Sequence, residues 1–311
     1  MLNRKEFIKQ SAFTAGALAF SSFGLAGEVA AAQRLVILHT NDVHSRLEPF
    51  PMDGSRNQGL GGVAARMQLI NDIRKKEEQV LLLDAGDLFQ GTPYFNLYKG
   101  EPEIKAMTKM GYDACTMGNH DFDAGLENFA TQLNHASFPV LLCNYDFTGT
   151  AMEGKTLPYK VYNKGRLKIG VTGVGIELNG LVPDNLFGRT QYLDPVSNLN
   201  ATADYLKTKK DCDMVICLSH LGYQYRENPN HICDVILAKE SMHVDLIIGG
   251  HTHTFLNEPM VVKNKTGSDV VINQVGWAGI QLGYLAYEFL PGKKKNLAKA
   301  NTVVIGKKSS E

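Results

Sequence analysis

The 311-residue chain predicts an α/β fold in which two sheets pack face to face with helices outside. Short apolar runs alternate with helix-length segments through most of its length, as parallel βαβ units require. Five of those runs (35–38, 80–83, 114–117, 214–218 and 244–248) end in a short polar motif. They are mostly apolar throughout rather than alternating, the pattern of strands buried on both faces. A hydrophobic content of 44% with 32 basic and 32 acidic residues allows a large core, and 30 glycines suit a loop-rich domain. The balanced charge argues against nucleic acid as a bulk electrostatic partner.

At the N-terminus, Arg4 and Lys5 form a basic region, 11–27 is mildly apolar, and Ala30-Ala31-Ala32 offers a cleavage site before Gln33. Residues 1–32 are therefore expected to be an export signal, and the mature chain to be periplasmic or on the extracytoplasmic surface. The stretch from Asn3 to Lys9 resembles a twin-arginine signal in which Lys5 replaces the second arginine, so the twin-arginine and general secretion routes both stay open. A membrane anchor is the competing reading, but the apolar stretch is short and interrupted for a span. No other segment looks membrane-spanning. A single catalytic domain is expected over 33–306, with a tail at 307–311.

Within that domain the order is a strand (34–40), a helix (62–76), a strand (80–84), a helix (101–110), a strand, a helix (126–135) and a strand (139–143). Two strands around Asn163-Lys164-Gly165 form a hairpin signal between Pro158 and Val174. Helices over 198–210 and 231–240, each followed by a strand, restore the alternation, and 260–305 reads as several strands with turns at 264–267 and at Pro291-Gly292. Lys293-Lys294-Lys295 is expected to be part of that solvated turn. Five cysteines lack metal-knuckle spacing, and an odd number implies no disulfide framework, although a bridge from Cys212 or Cys233 stays open.

The polar motifs are Asp42-Val43-His44, Gly86-Asp87, Gly118-Asn119-His120-Asp121, Ser219-His220 and Gly249-Gly250-His251-Thr252-His253. Taken singly each has an ordinary explanation: Asp42 as a cap, Asp87 as a turn residue, Asn119 accepting a positive φ after Gly118, His220 as a satisfied strand-end histidine, and His251 and His253 in a glycine-rich turn. Together, beyond strand ends where α/β sheets bind ligands, they read as one dinuclear metal site. Carboxylates, an amide and imidazoles without thiolate suit zinc, manganese, iron or cobalt. Two ions about 3.5–4 Å apart can activate a water and clamp the oxygens of a displacement at phosphorus. Asp87 is the natural bridging carboxylate.

These motifs, with Gln90-Gly91-Thr92, Phe122-Asp123 and Leu221-Gly222 beside them, resemble the calcineurin-like metallophosphoesterases. More narrowly, they resemble the catalytic domain of the 5′-nucleotidase and UDP-sugar hydrolase family. The resemblance implies a four-layer αββα sandwich. It assigns Asp42, His44, Asp87 and His253 to one divalent ion, and Asp87, Asn119, His220 and His251 to the other. It makes His120 the catalytic histidine, oriented by Asp123, whose charge raises its pKa. Asp121 stands where the family commonly has glutamate and is assigned no step. The family's C-terminal substrate domain is expected to be absent.

The expected function is that of an exported metal-dependent phosphoesterase acting on phosphomonoesters, with nucleotides as the leading substrates. A 2′,3′-cyclic nucleotide phosphodiesterase and a UDP-sugar pyrophosphohydrolase share the same chemistry, and a sulfur-ester hydrolase is more distant. From another class comes a catalytic subunit that needs a separate chain resembling the nucleotidase C-terminal domain. His39, His135, His231 and His243 are assigned no role, and Arg66, after the Gly61-Gly62 helix start, is a candidate neighbour of the site.

Overall fold

The computed structural model describes residues 32–290 and 294–306. The expected export signal, apart from Ala32, and the tail lie outside the described residues, as do Pro291, Gly292 and Lys293. Along the chain, β1 (Gln33–Thr40) leads into α1 (Val63–Arg74), β2 (Val80–Asp84), α2 (Pro93–Tyr98), α3 (Glu101–Met110), β3 (Ala114–Cys115), α4 (Leu126–Gln132) and β4 (Val140–Leu141). The short β5 (Tyr145–Asp146) and β6 (Thr156–Leu157) precede a hairpin of β7 (Tyr159–Lys164) and β8 (Leu167–Val174). Then come α5 (Asp184–Phe187), β9 (Gln191–Tyr192), α6 (Pro195–Thr208), β10 (Met214–Ser219), α7 (Asp234–Glu240) and β11 (Leu246–Gly249). The strands β12 (Met260–Lys263), β13 (Asp269–Asn273), β14 (Gln281–Leu290) and β15 (Lys294–Val304) follow.

One sheet has the order β15-β14-β1-β2-β3-β4-β6 and the other β12-β13-β11-β10-β8-β7. Strands β1, β2, β3, β4 and β6 run parallel, with β14 antiparallel beside β1. In the second sheet β8, β10, β11 and β13 are parallel. Side-chain alternation produces the layers, because successive residues of a strand face opposite sides. Leu35, Ile37, Leu81 and Leu83 face inward and pack with Ile169, Val171, Ile216 and Ile248 of the other sheet. Their neighbours Val36, Leu38 and Leu82 face outward into a cluster with Ile70 and Ile104 from α1 and α3. Val215, Cys217 and Ile247 do the same with Leu199, Leu206 and Leu237 from α6 and α7. The result is the helix-sheet-sheet-helix sandwich expected from the sequence.

A polar pair lies within the apolar interior. His39 on β1 and Asn273 on β13 are both buried, and the Asn273 amide lies 2.9 Å from His39 Nε2, linking the two sheets. Burial pushes the imidazole down to about 3. Gly283 on the neighbouring strand leaves it room, since a Cβ there would come within 2.1 Å of Nε2.

Several expected boundaries move. α6 starts at Pro195, three residues early, because Asp194 caps it: its Oδ1 accepts from Ser197 N at 2.7 Å, and proline fits the first turn. α7 starts at Asp234 rather than His231, and the helix after Leu126 tightens into a 3₁₀ turn at Leu133–His135. The strand expected over 139–143 is reduced to Val140–Leu141. Helix α2 and the β5–β9 pair are additions to the expected order. Lys295 is not a solvated turn residue; it lies in β15, half-buried, with Nζ 2.8 Å from Asp245. All five cysteines are free thiols. Among the described residues, no helix is long and apolar enough to cross a membrane.

Candidate metal centre

The five motifs converge beyond the carboxyl ends of β1, β2 and β3 in one sheet and β10 and β11 in the other. The backbone turns sharply as it leaves each strand. Asp42, His44, Asp87, His251 and His253 all take positive φ, between 50° and 71°. This left-handed region disfavours a Cβ, and Asp and His are among the side chains that enter it most readily. Glycines permit the close approach of neighbouring turns. A Cβ on Gly118 would lie 2.2 Å from Asp87 Oδ1 and 2.5 Å from His220 Nε2, and one on Gly250 would lie 2.8 Å from His220 Nδ1. Asn119, by contrast, opens a 3₁₀ turn (Asn119–Phe122) and does not take a positive φ.

Two groups of donors face each other. Asp42, His44 and His253 form one, and Asp87, His220 and His251 the other, with the ligand atoms of each group within 4.8 Å of one another. His44 Nε2 lies 2.9 Å from His253 Nε2, and Asp42 Oδ1 lies 3.4 Å from that same His253 nitrogen. Asp87 Oδ2 stands 3.1 Å from His220 Nε2 and 3.8 Å from His44 Nε2, between the groups, where a bridging carboxylate belongs. Asn119 Oδ1 joins the second group at 2.8 Å from His251 Nδ1.

The tautomers explain why these donors call for a cation. His220 Nδ1 is 2.7 Å from the Ala85 carbonyl and His44 Nδ1 is 3.1 Å from the Phe89 carbonyl. A carbonyl only accepts, so in each ring Nδ1 donates and the neutral imidazole directs its Nε2 lone pair into the site. At His220 that lone pair meets the Asp87 carboxylate, and the buried Nε2 has no hydrogen-bond partner. Two facing acceptors need a proton or a metal ion between them. Burial alone would lower the His220 pKa, but the Asp87 charge outweighs it and pushes the group up to about 10. Partial burial, with His220 beside it, pushes His251 down to about 4. A divalent ion would replace the proton on His220, and the residues present fit one.

Three residues given no role from the sequence hold this arrangement. Asp121 is buried and accepts from the backbone N–H groups of Asp87, Leu88, Phe89 and Gly118 at 2.8–3.2 Å, pinning the β2 and β3 turns together. Asn41 donates to Asp42 Oδ2 at 2.6 Å while its own oxygen accepts from Val275 N. Gln274 donates to the Gly250 carbonyl and accepts from Thr254 N, bracing the turn of His251 and His253. Arg66 lies apart from the donors: it is buried and lines a small internal cavity with Asp84 and Glu103.

His120 sits at the edge of the donors, its ring centroid 5.3 Å from that of His44. Its Nδ1 is 2.9 Å from Asp123 Oδ2, and that bond raises the imidazole pKa against partial burial. Its backbone N–H donates to Asp87 Oδ1 at 2.8 Å. On the other side, Trp277 stacks on His253, with rings 5.8 Å apart and 8° from parallel. His39 lies in the sandwich interior, His243 approaches Asp204 at 3.6 Å and His231 packs edge-on against Tyr225, so none of the three enters the donor groups.

Comparison with known proteins points to one family. The profile of the calcineurin-like phosphoesterases covers residues 35–255. A snake venom 5′-nucleotidase of Gloydius brevicauda is 36% identical over 89% of this chain and 49% of its own length, and the Homo sapiens 5′-nucleotidase is 35% identical over 84% and 47%. Among solved structures, a 5′-nucleotidase precursor from Thermus thermophilus superposes with a TM-score of 0.78 at 31% identity, covering 88% of this chain and 55% of that one. The NAD nucleotidase of Haemophilus influenzae superposes at 0.77 with 27% identity, covering 89% and 57%. The chain spans about half the length of the curated relatives it matches.

Proposed function

We propose, from the premise that the chain belongs to the calcineurin-like phosphoesterase family, that it hydrolyses phosphomonoesters of the 5′-nucleotide type. The observation that carries this reading is the pair of facing donor groups with His120, held by Asp123, at their edge. Asp42, His44, Asp87 and His253 would hold one divalent ion and Asp87, Asn119, His220 and His251 the other. Ions there supply Lewis acidity toward phosphoryl oxygens and a water nucleophile near neutral pH.

The chain's own contribution centres on His120. With Nδ1 held by Asp123, the ring is fixed in orientation and favours its protonated form, leaving Nε2–H for the phosphoryl group or the departing oxygen. Positive charge at that atom stabilises the charge that builds on phosphoryl transfer, and its proton neutralises the alkoxide that leaves. Asp121 and Asn41 keep the donors fixed without touching the reacting atoms.

The test is metal analysis of the purified protein together with hydrolysis of a nucleotide panel before and after His120→Ala. The expected outcome is bound divalent metal, release of phosphate from 5′-mononucleotides, and a fall in kcat of about 10²–10³ in the variant. Protein without metal affinity, or activity unchanged by the substitution, would remove the reading. We also propose that residues 1–32 direct export; a mature N-terminus at Gln33 in a periplasmic fraction, read by mass spectrometry, is the expected result.

A further inference from the structure

We infer that Trp277 is the positioning residue of His253: its indole face takes the place of the rear hydrogen bond that fixes His44 and His220, and so governs retention of the ion assigned to Asp42, His44 and His253. The inference rests on the metal-centre reading proposed above and extends it to a residue outside the donor set.

An imidazole that holds a metal through one ring nitrogen is ordinarily oriented by a hydrogen bond from the other. His44 and His220 follow that rule, with Nδ1 at 3.1 Å from the Phe89 carbonyl and 2.7 Å from the Ala85 carbonyl. His253 does not. Its Nε2 faces His44 and Asp42, its side chain is 41% exposed, and among the described residues its Nδ1 has no hydrogen-bond partner. What meets the ring instead is Trp277, in an offset stack with centroids 5.8 Å apart and planes 8° from parallel.

The indole is held independently of His253. Phe50 packs edge-on against it at 5.8 Å, and the loop that carries it is tied to the turns on either side. Asn41 Nδ2 donates to the Gly276 carbonyl at 2.6 Å, Gly276 N to the Thr254 carbonyl at 2.9 Å, and Ala278 N to the Asp42 carbonyl at 2.7 Å. One short loop thus grips the chain at Asp42 and next to His253, and lays its aromatic face on the exposed ring. That face carries negative potential, and an imidazole that has given its lone pair to a divalent ion is electron-poor, so loading the site strengthens the stack. Among the described residues, Trp277 makes ring contacts with His253 and Phe50 and with neither imidazole of the second group, so its effect falls on one ion.

The full chain, stripped of metal with a chelator, would be titrated with Zn²⁺ by calorimetry as the wild type, Trp277→Ala and Trp277→Phe. The expected result is two ions per chain in the wild type, one of them bound about tenfold or more weakly in Trp277→Ala while the other changes by less than about twofold. Trp277→Phe keeps an aromatic face and is expected to stay within about threefold of the wild type. Trp277 is the chain's one tryptophan, so Zn²⁺, which is closed-shell, is also expected to change the wild-type emission, and His253→Ala to abolish that response. Both ions held by Trp277→Ala as tightly as by the wild type, equal weakening of both, or an emission unmoved by Zn²⁺ would overturn the inference. Should Trp277→Ala not fold, the wild-type emission titration decides. Binding is read without turnover: a chain that hydrolyses no phosphomonoester yet shows the selective loss keeps this inference and drops the phosphoesterase reading, and an active chain indifferent to the substitution does the reverse.

Discussion

Asp123 follows His120 by three residues, and their 2.9 Å contact sets the pH range over which the imidazole keeps its proton. Because the bond raises the His120 pKa, the protonated form survives to higher pH, and an activity that needs it declines only as pH rises through that raised value. Asp123→Asn keeps the shape and removes the charge, so the alkaline limb of the kcat profile is expected to move to lower pH; a pH–rate series on both proteins checks it. Gly118→Ala is expected to abolish metal uptake while far-UV circular dichroism stays near wild type, since the atoms nearest the new Cβ would be those of Asp87 and His220. The candidate ligands were legible because each lies within a few residues of the end of an apolar run. Asp121 and Gln274 were not, because the backbone groups of Asp87 to Phe89 and of Gly250 and Thr254 that they bind lie 20 or more residues away in sequence, a relation no local pattern encodes.

The elements divide the same way. β1, β2, β10 and β11 are buried on both faces and announce themselves as apolar runs. α3 runs from Glu101 to Met110 as expected, between two glycines that take left-handed conformations, Gly100 and Gly111. β5 and β9 are two residues each and exist only because distant segments pair, so nothing local could announce them. The start of α6, in contrast, carries a local signal that apolar periodicity alone overlooks: Asp194 followed by Pro195 marks a helix start. Asp194→Ala is expected to cost about 1 kcal/mol in urea unfolding and leave turnover unchanged, because the cap lies on the outer helical layer.

Across the whole molecule, the sheets meet through an apolar layer that holds the buried contact of His39 with Asn273. Folding depresses the His39 pKa from 6.5 to about 3, so between those values the unfolded chain binds more protons and stability falls as pH is lowered. Above 6.5 this group contributes no slope. The fully developed contribution is about 1.4 kcal/mol per pH unit. His39→Gln is expected to flatten the dependence of unfolding free energy between pH 6.5 and 4, as read by denaturant titration at several pH values. The sandwich as a whole was legible from alternating runs; the His39 contact across it was not, since β1 alone cannot show what faces it.

The left-handed turns at Asp42, His44, Asp87, His251 and His253 set a limit on laboratory evolution of this protein. Each stores backbone strain on the order of 1 kcal/mol that glycine would relieve. A selection for heat tolerance run with a chelator would therefore enrich glycine at these candidate ligand positions, and its winners would be sturdier and unable to take up metal. The same selection run with divalent metal would keep all five, because the affinity of the loaded site then counts toward survival.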